Sequence, residues 1–145
     1  MKTFKNFLTE SEEKSNVKAL IKKLPKGHQK LLAGYKFKFQ AGNTLDGDDG
    51  HVGVVYKNKI TVAAPWNYSR SFTTLHEIAH VVYQYKMTKE LKKEWAEIVK
   101  KNPNPQEKDA EENFAMAYAC FYSKHKVETY NKPTWMDFIK NKVPE

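Results

Sequence analysis

The stretch of sequence that decides the fold is FTTLHEIAHVV, at residues 72–82. Its apolar residues recur three or four positions apart, which is the spacing of one face of an α-helix. We therefore predict a helix that begins near Ser69 or Ser71 and runs to about Lys86. Within it, residues 76–80 read His-Glu-Ile-Ala-His, so two histidines lie about one helical turn apart.

His76 and His80 are suited to binding one metal ion. Residues four apart in a helix lie about 40° apart around the axis and about 6 Å apart along it, so both imidazoles can reach the same ion. Zinc bound by two histidines still needs a third protein ligand and a water molecule. Glu77 can lean over the metal toward that water and act as a general base. Two unrelated helical histidines are the alternative, but such a pentapeptide seldom arises by chance.

A downstream helix offers acidic side chains for the third ligand position. We predict that this helix begins at Asp109 and continues to about Lys124. Its apolar side contains Phe114, Ala115 and Tyr118, so either of two preceding glutamates can border the core. Spacing alone does not choose among the candidate ligands, which are Glu107, Asp109, Glu111 and Glu112.

Residues 34–64 carry the signals of strands. Apolar and charged residues alternate from Tyr35 to Phe39, as in a half-buried strand. Residues 52–56 and 60–64 are rich in β-branched side chains and flank Asn58-Lys59, which predicts a hairpin. Three strands in succession predict a small, mostly antiparallel sheet, and the fold class is α+β.

Further helices are predicted before and after these strands. One begins at Thr9 or Ser11 and ends near Pro25, and a short one covers residues 27–32. Thr88 can cap a helix that the Asn-Pro-Asn-Pro sequence at residues 102–105 brings to an end, and a short helix or turn follows Pro133. We expect a single domain over residues 1–145, made of an N-terminal helical segment (1–33), the small sheet (34–64) and the histidine-bearing and C-terminal helices (69–145).

The charge distribution argues against a specific nucleic-acid binder, although the formal net charge is +8. Residues 1–33 hold eight lysines against three glutamates, whereas residues 71–145 hold twelve lysines against eleven acids. Arg70 is the only arginine, and planar recognition of bases and phosphates favours arginine. A solvated, lysine-rich surface is therefore expected.

Other features bear on location and on reactive side chains. Cys120 is the only cysteine, which excludes an intramolecular disulfide, and we expect it to be buried. We expect His28 and His51 at the surface. No apolar run is long enough for a signal peptide or a membrane span, so we expect a cytoplasmic chain at synthesis and no membrane partner. Residues 1–10 resemble the N-termini of many tailed-phage proteins, which would place the chain in the host cytoplasm or the virion.

The sequence resembles the catalytic domains of anthrax lethal factor and the proline-proline endopeptidases, which are gluzincin-type zinc peptidases. The likeness covers roughly residues 50–140 and is carried by residues 76–80, by Glu-Asn-Phe-Ala-Met-Ala-Tyr at 112–118 and by the segment from Pro133 to Ile139. It implies a zincin-like fold, with the sheet packed on the histidine-bearing helix and a glutamate-bearing helix after it. It also implies that Glu112 is the third ligand, with Glu111 as its rival, and that a peptide binds antiparallel to an edge strand, here residues 60–64.

Two positions depart from the pattern of this family. The tyrosine that the family commonly places seven residues before the glutamate ligand is Pro105, and the acidic residue four positions after the ligand is Met116. Stabilisation of the oxyanion is therefore expected from another group. The candidates are Tyr68, Tyr118, Tyr122 and His125.

The expected function is that of an endopeptidase acting on a peptide or protein substrate, with Zn²⁺ as cofactor. His76, His80 and Glu112 are its expected ligands, and Glu77 is the expected general base. The alternative is a catalytically weak or inactive zincin-like protein with a structural or interaction role. A phage origin belongs to this alternative. A third hypothesis, a lysine-rich nucleic-acid binder, would not depend on His76.

Overall fold

The computed structural model describes residues 10–40, 53–63, 70–124 and 126–145. These residues form six helices and a small three-stranded sheet, which confirms the α+β class. Contacts divide the chain into two compact units, Met1–Thr74 and Leu75–Glu145. His51, the start of the second predicted strand at residue 52 and the end of the third at Ala64 lie outside the described residues.

The first unit contains two helices and three strands, close to their predicted positions. The predicted helix that ends near Pro25 is present but stops at Ile21, and the short helix and all three strands are confirmed to within a few residues. The elements are α1 (Glu10–Ile21), α2 (Lys26–Leu32), β1 (Lys36–Gln40), β2 (Gly53–Tyr56) and β3 (Lys59–Ala63).

The sheet has the order β1-β3-β2 and is mixed, so the prediction of a mostly antiparallel sheet is wrong. Strand β1 pairs parallel with β3, and β2 pairs antiparallel with it. The parallel register sets Phe37 beside Ile60 and Phe39 beside Val62, which gathers the apolar side chains of both strands on one face. Because β3 is paired on both sides, residues 60–64 do not form the edge strand that the resemblance implies.

The hairpin turn consists of Lys57 and Asn58, one residue earlier than predicted. Tyr56 pairs with Lys59, which leaves two residues to reverse the chain. Lys57 has a φ of 53°, in the left-handed region that two-residue hairpin turns require at their first central position. The predicted Asn58-Lys59 turn would shift this register by one residue and turn the side chains of one arm to the other face.

His28 is buried in α2, so the prediction that it lies at the surface is wrong. It stands four residues before Leu32, which is also buried, and residues four apart share one face of a helix. The sequence places His28 among polar neighbours, and only its helical position relative to Leu32 reveals the burial.

The second unit is helical. Most of helix α3 (Arg70–Lys86) lies in this unit, and its start is confirmed to within one residue. Thr88 caps the next helix, because its Oγ1 accepts a hydrogen bond from the Leu91 N–H at 3.1 Å. The segment after Pro133 is a helix. The remaining elements are α4 (Lys89–Lys101), α5 (Ala110–Tyr122) and α6 (Pro133–Asn141). Among the described residues, no helix combines the length and the apolar character of a membrane span.

An aromatic cluster forms the core of the second unit around Trp95 of α4. Its ring centre lies 5.8 Å from that of Phe114, 5.4 Å from that of Trp135 and 5.1 Å from that of Phe138. All four side chains are buried, so their packing around Trp95 holds α4, α5 and α6 together. Cys120 is buried, as predicted.

Candidate metal site

Helix α3 presents the predicted histidines at its partly open face. Ile78 and Ala79 between them are fully buried, whereas His76 and His80 are partly exposed. This division follows from helical periodicity, because the two histidines share a face that the intervening apolar residues do not. The sequence therefore folds locally so that the two histidines remain accessible while the rest of the turn is packed.

Helix α5 brings two adjacent glutamates to the site in its first turn. Asp109 caps this helix, and its Oδ1 accepts a hydrogen bond from the Glu111 N–H at 3.1 Å. Carboxylates are favoured at this end of a helix because its free N–H groups carry partial positive charge. Both glutamates thus lie in the turn of α5 where carboxylates are favoured.

The segment before α5 is held by a buried side-chain amide. Asn113 Nδ2 donates to the carbonyl of Glu107 at 3.0 Å and to that of Asp109 at 3.1 Å. Its Oδ1 accepts from Nδ2 of Asn104 at 3.4 Å. Both asparagines are buried, so these bonds satisfy groups that water does not reach. They fix the chain where it enters the glutamate-bearing turn.

Glu112 lies between the two histidines. Its Oε2 is 3.2 Å from Nε2 of His76, and its Oε1 is 3.2 Å from Nε2 of His80. The two imidazole rings stand nearly edge to face, with centres 5.1 Å apart. One potential ligand atom from each of the three residues lies within 4.8 Å of the others. The structure therefore brings together the three residues that the sequence and the resemblance nominate.

These distances fit a zinc ion. Ligand atoms bound tetrahedrally at about 2.0–2.2 Å lie about 3.3–3.5 Å from one another. The two observed N···O separations of 3.2 Å are close to that spacing. Two imidazoles and one carboxylate also form a donor set that zinc uses with a fourth, open position. The type and the closeness of the three side chains therefore fit the ion.

The charges of these groups are coupled in the metal-free protein. Burial lowers the pKa of His80, but hydrogen bonds with Glu112 and Glu111 and the charges of Glu112 and Glu77 more than offset burial and raise that pKa to about 9. Hydrogen bonds from His76 and His80 hold the pKa of the Glu112 carboxyl well below its usual range, against the opposing effect of burial. At neutral pH an ionised Glu112 therefore faces a protonated His80.

Glu77 lies beside the three-residue cluster without belonging to it. Its side chain is buried, and its Oε2 is 3.9 Å from Nε2 of His76. A carboxylate at this distance can reach a water molecule next to the ligand nitrogen without itself replacing a ligand. Glu77 therefore lies next to His76, and its role as a general base stays a prediction.

Glu111 contacts the site in a way that the sequence does not predict. Its Oε2 lies 2.7 Å from Nδ1 of His80, on the side of the ring opposite Nε2. The sequence marks Glu111 only as a rival ligand, because two successive glutamates at a helix start look equivalent. Their difference arises from the roughly 100° of rotation between adjacent helical residues, which directs them to different edges of the same imidazole.

Tyr83 is a second neighbour that sequence reasoning missed. Its ring packs on Phe114, with centres 5.2 Å apart, and burial together with the charges of Glu111 and Asp109 raises its pKa. Tyr83 follows His80 by three positions on α3, so the helical spacing that groups the histidines also places this tyrosine on their face.

Two of the predicted oxyanion groups, Tyr118 and Tyr122, lie within the described residues, on α5. Tyr118 is fully buried, and burial raises its pKa far above the usual range. It also lies about 120° around α5 from Glu112. Tyr122 stands about 15 Å further along that helix than Glu112, and burial and then the charge of Glu145 raise its pKa to about 12. Tyr68 and His125 lie outside the described residues.

Comparison of the chain with protein-family models, with curated protein sequences and with solved structures gives no match.

Proposed function

We propose that the chain is a zinc-dependent endopeptidase of the gluzincin type, with a zincin-like fold. The observation that carries this proposal is the convergence of His76, His80 and Glu112, with N···O distances of 3.2 Å, next to the buried carboxylate of Glu77. Two imidazoles and a carboxylate form a catalytic rather than a closed structural zinc set, because structural sites commonly use four protein ligands.

Each residue has a distinct role in this mechanism. His76 and His80 would hold zinc through Nε2 and Glu112 through a carboxylate oxygen. Bound zinc would polarise the scissile carbonyl and lower the pKa of a water molecule to about 7. Glu77 would accept a proton from the attacking water and pass it to the departing amine, so the same carboxylate would serve as base and then as acid.

The proposal is tested by Glu77→Gln, measured on a peptide library with zinc-loaded protein. The variant should keep one zinc per chain and lose cleavage by about 10²- to 10⁴-fold, because a positioned general base contributes that factor. Glu97→Gln is the matched control, since Glu97 lies exposed on α4 and the change in charge is the same. Cleavage by Glu77→Gln at the wild-type rate would show that the assigned base is wrong.

A second candidate is a zincin-like protein that holds the metal without turning over peptides. The full burial of Tyr118 and the position of Tyr122, about 15 Å further along α5 than Glu112, favour it. Chelator-sensitive cleavage of any library peptide by the wild-type chain would exclude it. A library left intact by protein that carries one zinc would support it.

A further inference from the structure

We propose that Glu111 is a positioning residue that holds the His80 ring in the orientation needed to bind zinc. This inference rests on the proposed zinc site and assigns Glu111 a role different from that of Glu112. It starts from the two contacts of one imidazole ring, which face two different glutamates.

The geometry separates the two nitrogens of His80. Nδ1 lies 2.7 Å from Oε2 of Glu111, and Nε2 lies 3.2 Å from Oε1 of Glu112. With zinc on Nε2, the remaining proton of the ring would reside on Nδ1 and donate to Glu111, because a carboxylate only accepts hydrogen bonds. Nε2 is the nitrogen that faces Glu112. A histidine that binds zinc commonly donates its other N–H in this way, which fixes its tautomer and raises its basicity as a ligand.

The backbone supports this role for Glu111. Its N–H donates to Oδ1 of Asp109 at the cap of α5, so the residue sits in an anchored first turn. The position four residues after Glu112 is Met116, which has no charge and no strong acceptor. The carboxylate that contacts Nδ1 of His80 is therefore that of Glu111, one residue before Glu112.

Zinc affinity, measured by competition with a coloured chelator, tests the inference without any peptide substrate. We expect Glu111→Ala to weaken zinc binding by about 10- to 100-fold, as loss of a carboxylate partner of a histidine ligand does. Glu111→Gln should recover part of this loss because its amide oxygen still accepts a hydrogen bond. Glu97→Gln, which removes the same charge from an exposed part of α4, should bind zinc as the wild type does.

A spectroscopic readout separates positioning from general loss of structure. In zinc-loaded wild-type protein, the Nδ1–H of His80 should give a slowly exchanging, hydrogen-bonded proton signal in ¹H–¹⁵N spectra. Glu111→Ala should lose that signal while the Nδ1–H or Nε2–H signals of other histidines and the far-UV circular dichroism stay unchanged. An unaltered His80 signal in this variant would contradict the assignment.

Two further outcomes would overturn the inference while leaving the proposed function standing. Zinc affinity in Glu111→Ala equal to that of wild type would show that Glu111 does not orient His80. Complete loss of zinc in Glu111→Ala with retention in Glu112→Ala would make Glu111 the ligand. Failure of the proposed function has a different signature, because wild-type protein itself would then bind no zinc or cleave no peptide.

Discussion

Glu112 and His80 form a charged pair in the metal-free protein, and this pair makes the stability of the fold depend on pH. The pKa of His80 is raised to about 9, so its contribution is complete below its ordinary pKa of about 6.5 and is lost as the pH rises through 9. The pKa of Glu112 is lowered, so its contribution is present above its ordinary value and is lost only as the pH falls toward the shifted one.

We therefore expect metal-free protein to lose stability between about pH 6.5 and pH 9, a loss that urea unfolding at a series of pH values would measure. His80→Gln removes the titrating group and should flatten the profile in this range. An equally steep profile in His80→Gln would assign the pH dependence to other groups.

At the scale of single residues, the sequence predicts which side chains belong to the candidate site better than it predicts which of them contact one another. The histidine pair and Glu77 follow from local helical spacing, so they can be read from residues 76–80 alone. The separate contacts of Glu111 and Glu112 could not be predicted, because they depend on how α5 is rotated toward α3. That rotation is set by packing of residues distant in the sequence, including Phe114 against Trp95 and Tyr83.

At the scale of elements, Trp95 links α4 to the start of the glutamate-bearing helix. Its Nε1–H donates to the carbonyl of Ala110, the first residue of α5, at 2.8 Å. Trp135 is a natural comparison, since it is equally buried and its Nε1–H has no hydrogen-bond partner among the described residues. The two indoles therefore differ in this bond while sharing the same aromatic cluster.

We expect Trp95→Phe to lower the free energy of unfolding by about 1–3 kcal/mol more than Trp135→Phe does, because it leaves the Ala110 carbonyl without its buried donor. Chemical denaturation of both variants measures the difference. Trp95→Phe should also weaken zinc binding, since Ala110 precedes both glutamates. Equal losses of stability in the two variants would mean that the hydrogen bond contributes nothing beyond packing.

Element boundaries were predictable where the signal is local. Thr88 and Asp109 are capping residues whose side chains satisfy backbone N–H groups within three residues, and both helix starts are where the sequence puts them. The strand order could not be predicted in the same way. The parallel pairing of β1 with β3 joins residues more than twenty positions apart, and the local alternation that predicts each strand contains no information about its partner.

At the scale of the whole molecule, the described chain is an α+β protein in which the candidate site lies entirely within the second unit. The two elements that supply the site are separated in sequence by α4 and by the segment that Asn113 holds in place. Zinc would join α3 to the start of α5 directly. A bound ion is thus expected to stabilise the fold as well as to equip the site, because ligands that are apart in the unfolded chain are together in the folded one.

The most direct measurement is anomalous X-ray scattering at the zinc absorption edge from crystals grown with one equivalent of zinc. We expect one strong peak per chain, about 2.0–2.2 Å from Nε2 of His76, Nε2 of His80 and a carboxylate oxygen of Glu112. Glu111 should contact Nδ1 of His80 and not the metal. A peak elsewhere, or no peak while both imidazoles remain free to bind, would contradict the proposed zinc site.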